Sequence, residues 1–573
     1  MTETKNTVRL IGGEMPAWSD RRPGERPPAG GPVLAHLLGR LAVLLPAGGR
    51  ALIAGPHDDA IVAELTAHAE VTCLLRAKPD ADRLAGRGVT VLCGTLAKLT
   101  DADRYDVVVA LDGLDRLCSV EGPQYDWAEA LQVLRRTLRP GGTLLLAVEN
   151  ELGVHRLVDR SATTSAHTDG AWRPLGEFDE SKPGNPTRLA ARLAGEGLAV
   201  SWLGAAWPLP ASPTLVATPN ALQEGPAGAL AGAAAGAVGA AYARRPVLSD
   251  PRRLAAAAVR GGLGAEFAAA WIVLAHRSPR PALSVSLPPA LLSSGPIQSG
   301  PIQGGPDTNG PDPNGPDTNG PALDSPAPDS PAPDSSVLEL GRDRDGGWVR
   351  RVVGGAATAT SRRDPTALDG PMPTGQLLEE LLLGACLRHD LPRLRRLLTG
   401  WSAWLATLDG QRAYATVDNV LLDGDTYTLL DPSPRDPDPP AAPAATVAAL
   451  HRLAHTLTSG GYAHPWPAAT DPDTLTAVLT GAAGLDVSLD LPAAPVPTEP
   501  DSLREHEEQL RALRAQLADA TARTDWYEQE LSLRDAELRR AHLQIDLFSG
   551  SLGHRLARIG LTVARRARRT LRR

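Results

Sequence analysis

The sequence predicts an open α/β fold on a doubly wound parallel sheet, followed by a smaller α+β domain and a C-terminal coiled-coil helix. Three observations predict it. From residue 32 to about 222, short apolar runs such as "RALIAG", "EVTCLLRA", "GVTVLCG", "YDVVVALDGLDRL" and "TLLLAVEN" alternate with helical stretches. Strands buried on both faces of a parallel sheet read in this way. Two candidate hairpins then occur among helices, at 336–354 and 419–433. Finally, an apolar residue recurs at nearly every seventh position from Leu503 onward, which is the seam of a supercoiled helix.

Composition sets the outer limits. The 573 residues suffice for three or four domains, and a hydrophobic content of 42% can fill their cores. Glycine (56) and proline (52) are frequent enough that much of the chain must be turn or linker. A net charge of -8 gives no reason to expect nucleic-acid binding. Cys73, Cys93, Cys118 and Cys386 form no C-x-x-C pair and suit buried thiols in a reducing compartment. No metal ligand set is assigned. The opening "MTETKNTVRLIGGEMPAWSD" lacks the apolar core of a signal peptide. A cytoplasmic protein is expected, with a peripheral place on the inner face of the plasma membrane. Lysine is confined to Lys5, Lys78, Lys98 and Lys182; arginine supplies the other basic side chains.

In chain order, the polar, proline-rich residues 1–31 are expected to be disordered. The α/β domain spans 32–222, with "VLAHLLGRLAVLL", "DDAIVAELTAHA", "PDADRLAG" and "WAEALQVLRRTLRPGG" as helices and two last strands in "LAVSWLGAAWPLPASPTLVAT". An Ala-rich helical segment covers 223–293 and contains a further strand candidate, "EFAAAWIVLAHR". Degenerate Gly-Pro-Asp and Ser-Pro-Ala-Pro-Asp units mark 294–336 as a disordered linker. The α+β domain, 337–490, has hairpin turns at Asp345-Gly346-Gly347 and Asp423-Gly424-Asp425. A Pro-rich linker, 491–502, leads into the coiled coil at 503–548. Its two core rows are Leu503, Leu510, Leu517, Thr524, Leu531, Leu538, Ile545 and His506, Leu513, Ala520, Tyr527, Arg534, Ala541, Phe548. In 550–573, Leu552, Leu556, Ile559, Val563 and Ala567 share a helical face among eight arginines. Such a tail suits an anionic membrane surface; a solvated basic tail or one paired with acidic protein is the alternative.

Residues 32–222 resemble a class I S-adenosylmethionine-dependent methyltransferase. The resemblance is carried by "YDVVVALDGLDRL", by the helix–Pro-Gly-Gly–strand "VLRRTLRPGGTLLLAVEN", and by "ENELGVHRL" with "AHTDG" and "AAWPLPASPTLVAT". These resemble a subgroup associated with cell-surface polysaccharide biosynthesis, in which a methyltransferase, a kinase-like domain and a coiled coil with a membrane-binding helix occur together. The resemblance implies S-adenosylmethionine as cofactor, a Rossmann-like sheet, and a cofactor site on Gly55, Pro56, His57, Arg76, Gly94, Thr95 and Asp112. Three departures stand out. "IAGPHDD" keeps one glycine where the family has several. Arg76 stands where an acid should grip the ribose, with Asp80 or Asp82 as the substitute if the loop folds back. No acid follows the third strand in "CGTLAKL". His57, His155 and His167 are the candidates for activating an acceptor hydroxyl.

Residues 337–490 resemble the kinase-like partner. Asn419 and Asp431 have the relative layout of its metal-binding pair, but Tyr414 stands where the catalytic aspartate belongs and Asp418 is adjacent. With no lysine after Lys182, Arg350 or Arg351 would have to meet the phosphates, so a pseudokinase is expected. "HPWP" (464–467) is read either as local packing of Trp466 or as a ligand contact. Two functions follow. One is methyl transfer to a glycan hydroxyl. The other is an inactive scaffold that self-associates through the coiled coil and docks glycosyltransferases at the membrane.

Overall fold

Alternation along one central strand decides how the sheet is covered. In β2 (Arg50–Ala54), Leu52 and Ala54 enter one core while Ala51 and Ile53 enter the other, so helices must lie on both faces. This computed structural model describes residues 8–12, 27–43, 45, 48–100, 102–119, 122–159, 179–243, 245–277, 287–294, 336–355, 362–469, 471–485, 501–550 and 552–570. The expected linkers at 294–336 and 491–502, apart from Ser294, Ser336, Asp501 and Ser502, and His167 lie outside the described residues.

Around β2 run β1 (Val8–Gly12), β3 (Glu70–Leu75), β4 (Thr90–Gly94), β5 (Tyr105–Ala110) and β6 (Leu138–Glu149), all parallel. Helices α1 (Pro32–Ala42), α2 (Asp59–Thr66) and α3 (Lys78–Ala85) bury their apolar stripes on one face. The opposite face takes α4 (Trp127–Arg136), whose start is a reciprocal capping box between Asp126 and Glu129. The short α5 (Val154–Val158) follows β6, and α6 (Pro186–Gly195) packs beside α4's core. Next come β7 (Ala199–Trp207), β8 (Leu215–Ala217), α7 (Pro219–Glu224), α8 (Ala227–Ala241), β9 (Pro246–Val247) and α9 (Pro251–Arg260).

The sheet does not end with these elements. Strand β10 (Ala270–His276) inserts between β6 and β7, antiparallel to both. The order β4-β3-β2-β5-β6-β10-β7, with one reversed strand, is a mixed α/β arrangement consistent with a Rossmann-like methyltransferase fold. It also corrects the expected domain end at 222, because the segment 223–293 contributes strands as well as helices. Every residue of β10 is buried, and an apolar run of this kind, here ending in His276, finds its partners in the middle of a sheet.

The sheet continues antiparallel beyond β8 through β11 (Ala290–Ser293), β12 (Ser336–Arg342), β13 (Trp348–Gly355) and β14 (Gly370–Pro371). The hairpin at 336–354 therefore belongs to the large sheet and not to a separate domain; its strands cover the edge that β8 and β11 would leave unpaired. The N-terminal segment needs correction too. Val8–Gly12 pairs with β4, and residues 27–31 bond to the turn after β2, so these parts of 1–31 are ordered by backbone pairing.

A second core sits among helices. It contains β15 (Gln376–Leu377), β16 (Val420–Asp423) and β17 (Thr426–Leu429), with α10 (Leu378–Leu387), α11 (Leu391–Leu405), α12 (Ala442–Ser459) and α13 (Pro472–Ala482). The small residues of α8 permit contact with it. A side chain at Gly228 would place its Cβ 2.0 Å from the Gly375 carbonyl oxygen.

β18 (Asp501–Ser502) pairs with β9. The chain divides into two units, 1–506 and 507–573. The second holds nearly all of α14 (Leu503–Gly550) and all of α15 (Leu552–Thr570). No described helix is long and apolar enough to cross a membrane.

Candidate functional site

Ligands of doubly wound sheets bind outside the carboxyl ends of the strands, where the winding reverses. Here that point lies between β2 and β5, and Gly55 follows β2 with φ +92, a conformation natural to glycine. A Cβ built on Gly55 would meet Leu117 Cδ2 at 3.5 Å and the Asp112 Cβ at 3.7 Å. The space over the turn is thus already lined by the chain's own side chains.

His57 is buried, and both its ring nitrogens are used. Nδ1–H donates to the Gly55 carbonyl at 3.0 Å, and the Leu111 N–H donates to Nε2 at 3.1 Å. The ring stitches the end of β2 to the end of β5. Burial holds its imidazole below the ordinary range. A neutral ring with both nitrogens engaged has no place for an acceptor's proton, so the expectation of a catalytic His57 is corrected to a structural bridge.

The segment before α1 closes the turn from outside. Ala29 N–H donates to the Pro56 carbonyl, and Asp58 N–H donates to the Ala29 carbonyl. Asp58 caps α2 through Ile61 N–H at 2.9 Å and accepts Gly31 N–H at 2.8 Å. Asp112, buried at the end of β5, is gripped by both prongs of Arg116, each at 2.6 Å. Arg116 also donates to the Pro27 carbonyl at 3.2 Å.

The expected adenine end is covered as well. Gly94 (φ +154) lies so close to β1 that a Cβ there would sit 2.4 Å from the Gly12 carbonyl oxygen. Thr95 N–H donates to the same oxygen, and its buried hydroxyl finds no hydrogen-bond partner among the described residues. Arg76 follows β3, where its carbonyl accepts the Cys93 thiol. The structure therefore brings Gly55, Pro56, His57 and Asp112 together, with Arg76, Gly94 and Thr95 at the neighbouring strand ends. Leu117 and Asp112 approach the Gly55 turn, and β1 packs closely on Gly94. The Gly55 turn and the buried Asp112 stand where S-adenosylmethionine would be held in such a sheet, and Asp80, in the first turn of α3, is the first carboxylate in the chain after β3.

Beside the cradle, a small recess between the ends of β5 and β6 is lined by Asp112, Trp127, Glu149 and Lys182 among others. Glu149 accepts from His155 Nε2 at 2.9 Å and from the Arg156 Nε at 3.1 Å. Lys182 pairs with Glu151. His155 thus touches the recess only through Glu149. Sequence reasoning missed Arg116, Glu149 and the part played by Lys182. The spacing of four residues between Asp112 and Arg116 was the available signal.

In the helical core, the Asn419 amide donates to the carbonyls of Tyr414 and Asp431, and its oxygen accepts Asp431 N–H. The Asp431 carboxylate takes Ser433 N–H, the Ser433 hydroxyl and Arg363. Arg350 reaches the Leu430 carbonyl at 2.6 Å, and burial lowers its pKa. His464 and Trp466 lie side by side at a ring separation of 6.4 Å.

No protein-family model matches this chain, and no curated protein matches it. Solved structures do. They include the 1,6-didemethyltoxoflavin N1-methyltransferase of Burkholderia thailandensis with S-adenosylhomocysteine bound (13% identity, 43% of this chain, 77% of that one, TM-score 0.23). They also include the magnesium protoporphyrin IX methyltransferase of Synechocystis PCC 6803, likewise with its product cofactor (13%, 43%, 84%, 0.23). The [4+2]-cyclase SpnF is a third (15%, 43%, 80%, 0.23). At such scores the reading of the fold rests on the strand order above, and S-adenosylmethionine is the cofactor to test against this sheet.

Proposed function

We propose that this is a methyltransferase-like protein whose cofactor cradle is closed by its own residues, and that it serves as a platform. In this reading it self-associates through α14, rests on an anionic membrane through α15, and docks glycosyltransferases of cell-surface glycan synthesis. The observation that carries it is the set of internal hydrogen bonds around the turn made by His57, the Asp112–Arg116 fork and residues 27–31. Each of these groups already has its partner within the chain.

S-adenosylmethionine-dependent methyl transfer to a glycan hydroxyl is the second reading. The recess lined by Asp112, Glu149 and Lys182 favours it, because it lies where an acceptor would meet a cofactor in such sheets. Calorimetric titration of the full-length protein with S-adenosylmethionine and S-adenosylhomocysteine separates the two. The platform reading expects no heat and no thermal shift. Micromolar binding by the wild type would replace it with the transferase reading.

A further inference from the structure

Helix α14 carries its apolar rows uncovered: Leu510, Leu517, Leu531, Leu538 and Ile545 are each more than half exposed. We propose that this helix pairs with α14 of a second copy in antiparallel orientation, with Thr524 of each opposite Tyr527 of the other. This rests on the self-association proposed above and adds its direction.

The two orientations make different core layers. Parallel pairing sets each residue against itself. Ala520 and Ala541 would then face their copies across empty layers, Tyr527 would face Tyr527, and Arg534 would face Arg534. Antiparallel pairing sets Leu510 against Ala541, Leu531 against Ala520 and Leu538 against Leu513. In the first two of these layers large meets small, which fills them evenly. Arg534 lies beside Leu517 of the second copy while its Nε keeps Glu530 of its own helix at 3.1 Å; its stem can cover the leucine with the charge at the rim.

Flanking charges agree. In the antiparallel register Arg514 meets Asp535, Arg523 meets Glu530 and Glu507 meets His542. The parallel register would place Glu530 beside Asp535. Charges at these positions set orientation in coiled coils.

The test uses full-length protein carrying a nitroxide on Glu507→Cys or on Asp525→Cys. The four native cysteines are buried, and burial raises the thiols of Cys73 and Cys386 to about 12, so label goes to the introduced thiol. Pulsed dipolar spectroscopy should give a short distance at 525, within roughly 25 Å for helices in contact. At 507 the labels should lie roughly 50 Å apart, from a 1.5 Å rise over the separating residues. Short distances at both sites would establish parallel pairing and overturn the proposal. No coupling at 525 would overturn self-association itself. Independently, Asp535→Arg should weaken association about tenfold, and adding Arg514→Glu should restore it. Tighter association of Asp535→Arg alone would mean the parallel register.

Discussion

Replacing His57 with alanine separates a structural bridge from a reserve base. The ring is 2% exposed and holds Gly55 and Leu111 at once. Alanine would leave a buried carbonyl and a buried N–H unpaired, at about 1–3 kcal/mol each. The vacated volume adds about 1 kcal/mol. A loss of about 3–7 kcal/mol is therefore expected from the urea transition of the large sheet. Tryptophan emission can follow it, since Trp127, Trp207 and Trp271 are buried in this core. The amide of Leu111 should lose its protection against hydrogen exchange in step. A loss below about 1 kcal/mol with Leu111 still protected would refute the bridge.

The same residue predicts an acid limb. Burial depresses the folded imidazole's pKa below its ordinary 6.5. The unfolded chain then binds the proton first as pH falls. The stabilisation from His57 is complete above 6.5 and drains as pH drops from there through the folded value. Its slope is at most about 1.4 kcal/mol per pH unit. His57→Gln should lack this share of the acid sensitivity, and identical acid limbs for variant and wild type would contradict it.

Other perturbations are simpler. Gly94→Ala would press on the Gly12 carbonyl, and Val8–Gly12 should become a protease-sensitive edge. Gly228→Ala should cost about 2–3 kcal/mol by forcing α8 off Gly375, whereas Gly236→Ala on the same helix, where no atom lies within 4 Å, should stabilise by about 0.5–1 kcal/mol; melting curves would show opposite shifts. Full-length protein should bind anionic vesicles through α15 and release them as salt rises; equal binding to neutral vesicles would refute the electrostatic part.

Much of the first sheet was legible. Five apolar runs and both hairpin turns fall at the expected residues, because burial on two faces and left-handed turns leave local signatures; the Pro-Gly-Gly helix stop does not, since α4 ends at Arg136 and residues 140–142 lie inside β6. Partner choice leaves none. "AWIVLAH" reads as a strand, but nothing local says that it enters between β6 and β7, some 120 residues after β6 ends. The cradle shows the same limit. The missing glycines and the absent ribose acid were visible, whereas its closure by Ile11–Gly12 and Pro27–Gly31 was not. Those residues are mostly glycine and proline and are ordered by backbone bonds that carry no side-chain pattern. In the helical core, Asn419 and Asp431 were found by spacing, while Arg363, distant in sequence, was not.

The late arrival of β10 bears on how the chain is made. While a ribosome extends the chain past Glu149, the exposed edge of β6 waits about 120 residues for its neighbour. At 5–20 residues per second that interval is roughly 6–24 s. Throughout it, a nascent chain presents a flat, apolar strand edge to whatever else is near. Synthesis of this protein should accordingly depend on chaperone holding between those two points. A gene cut at 222 would freeze the chain in that exposed interval.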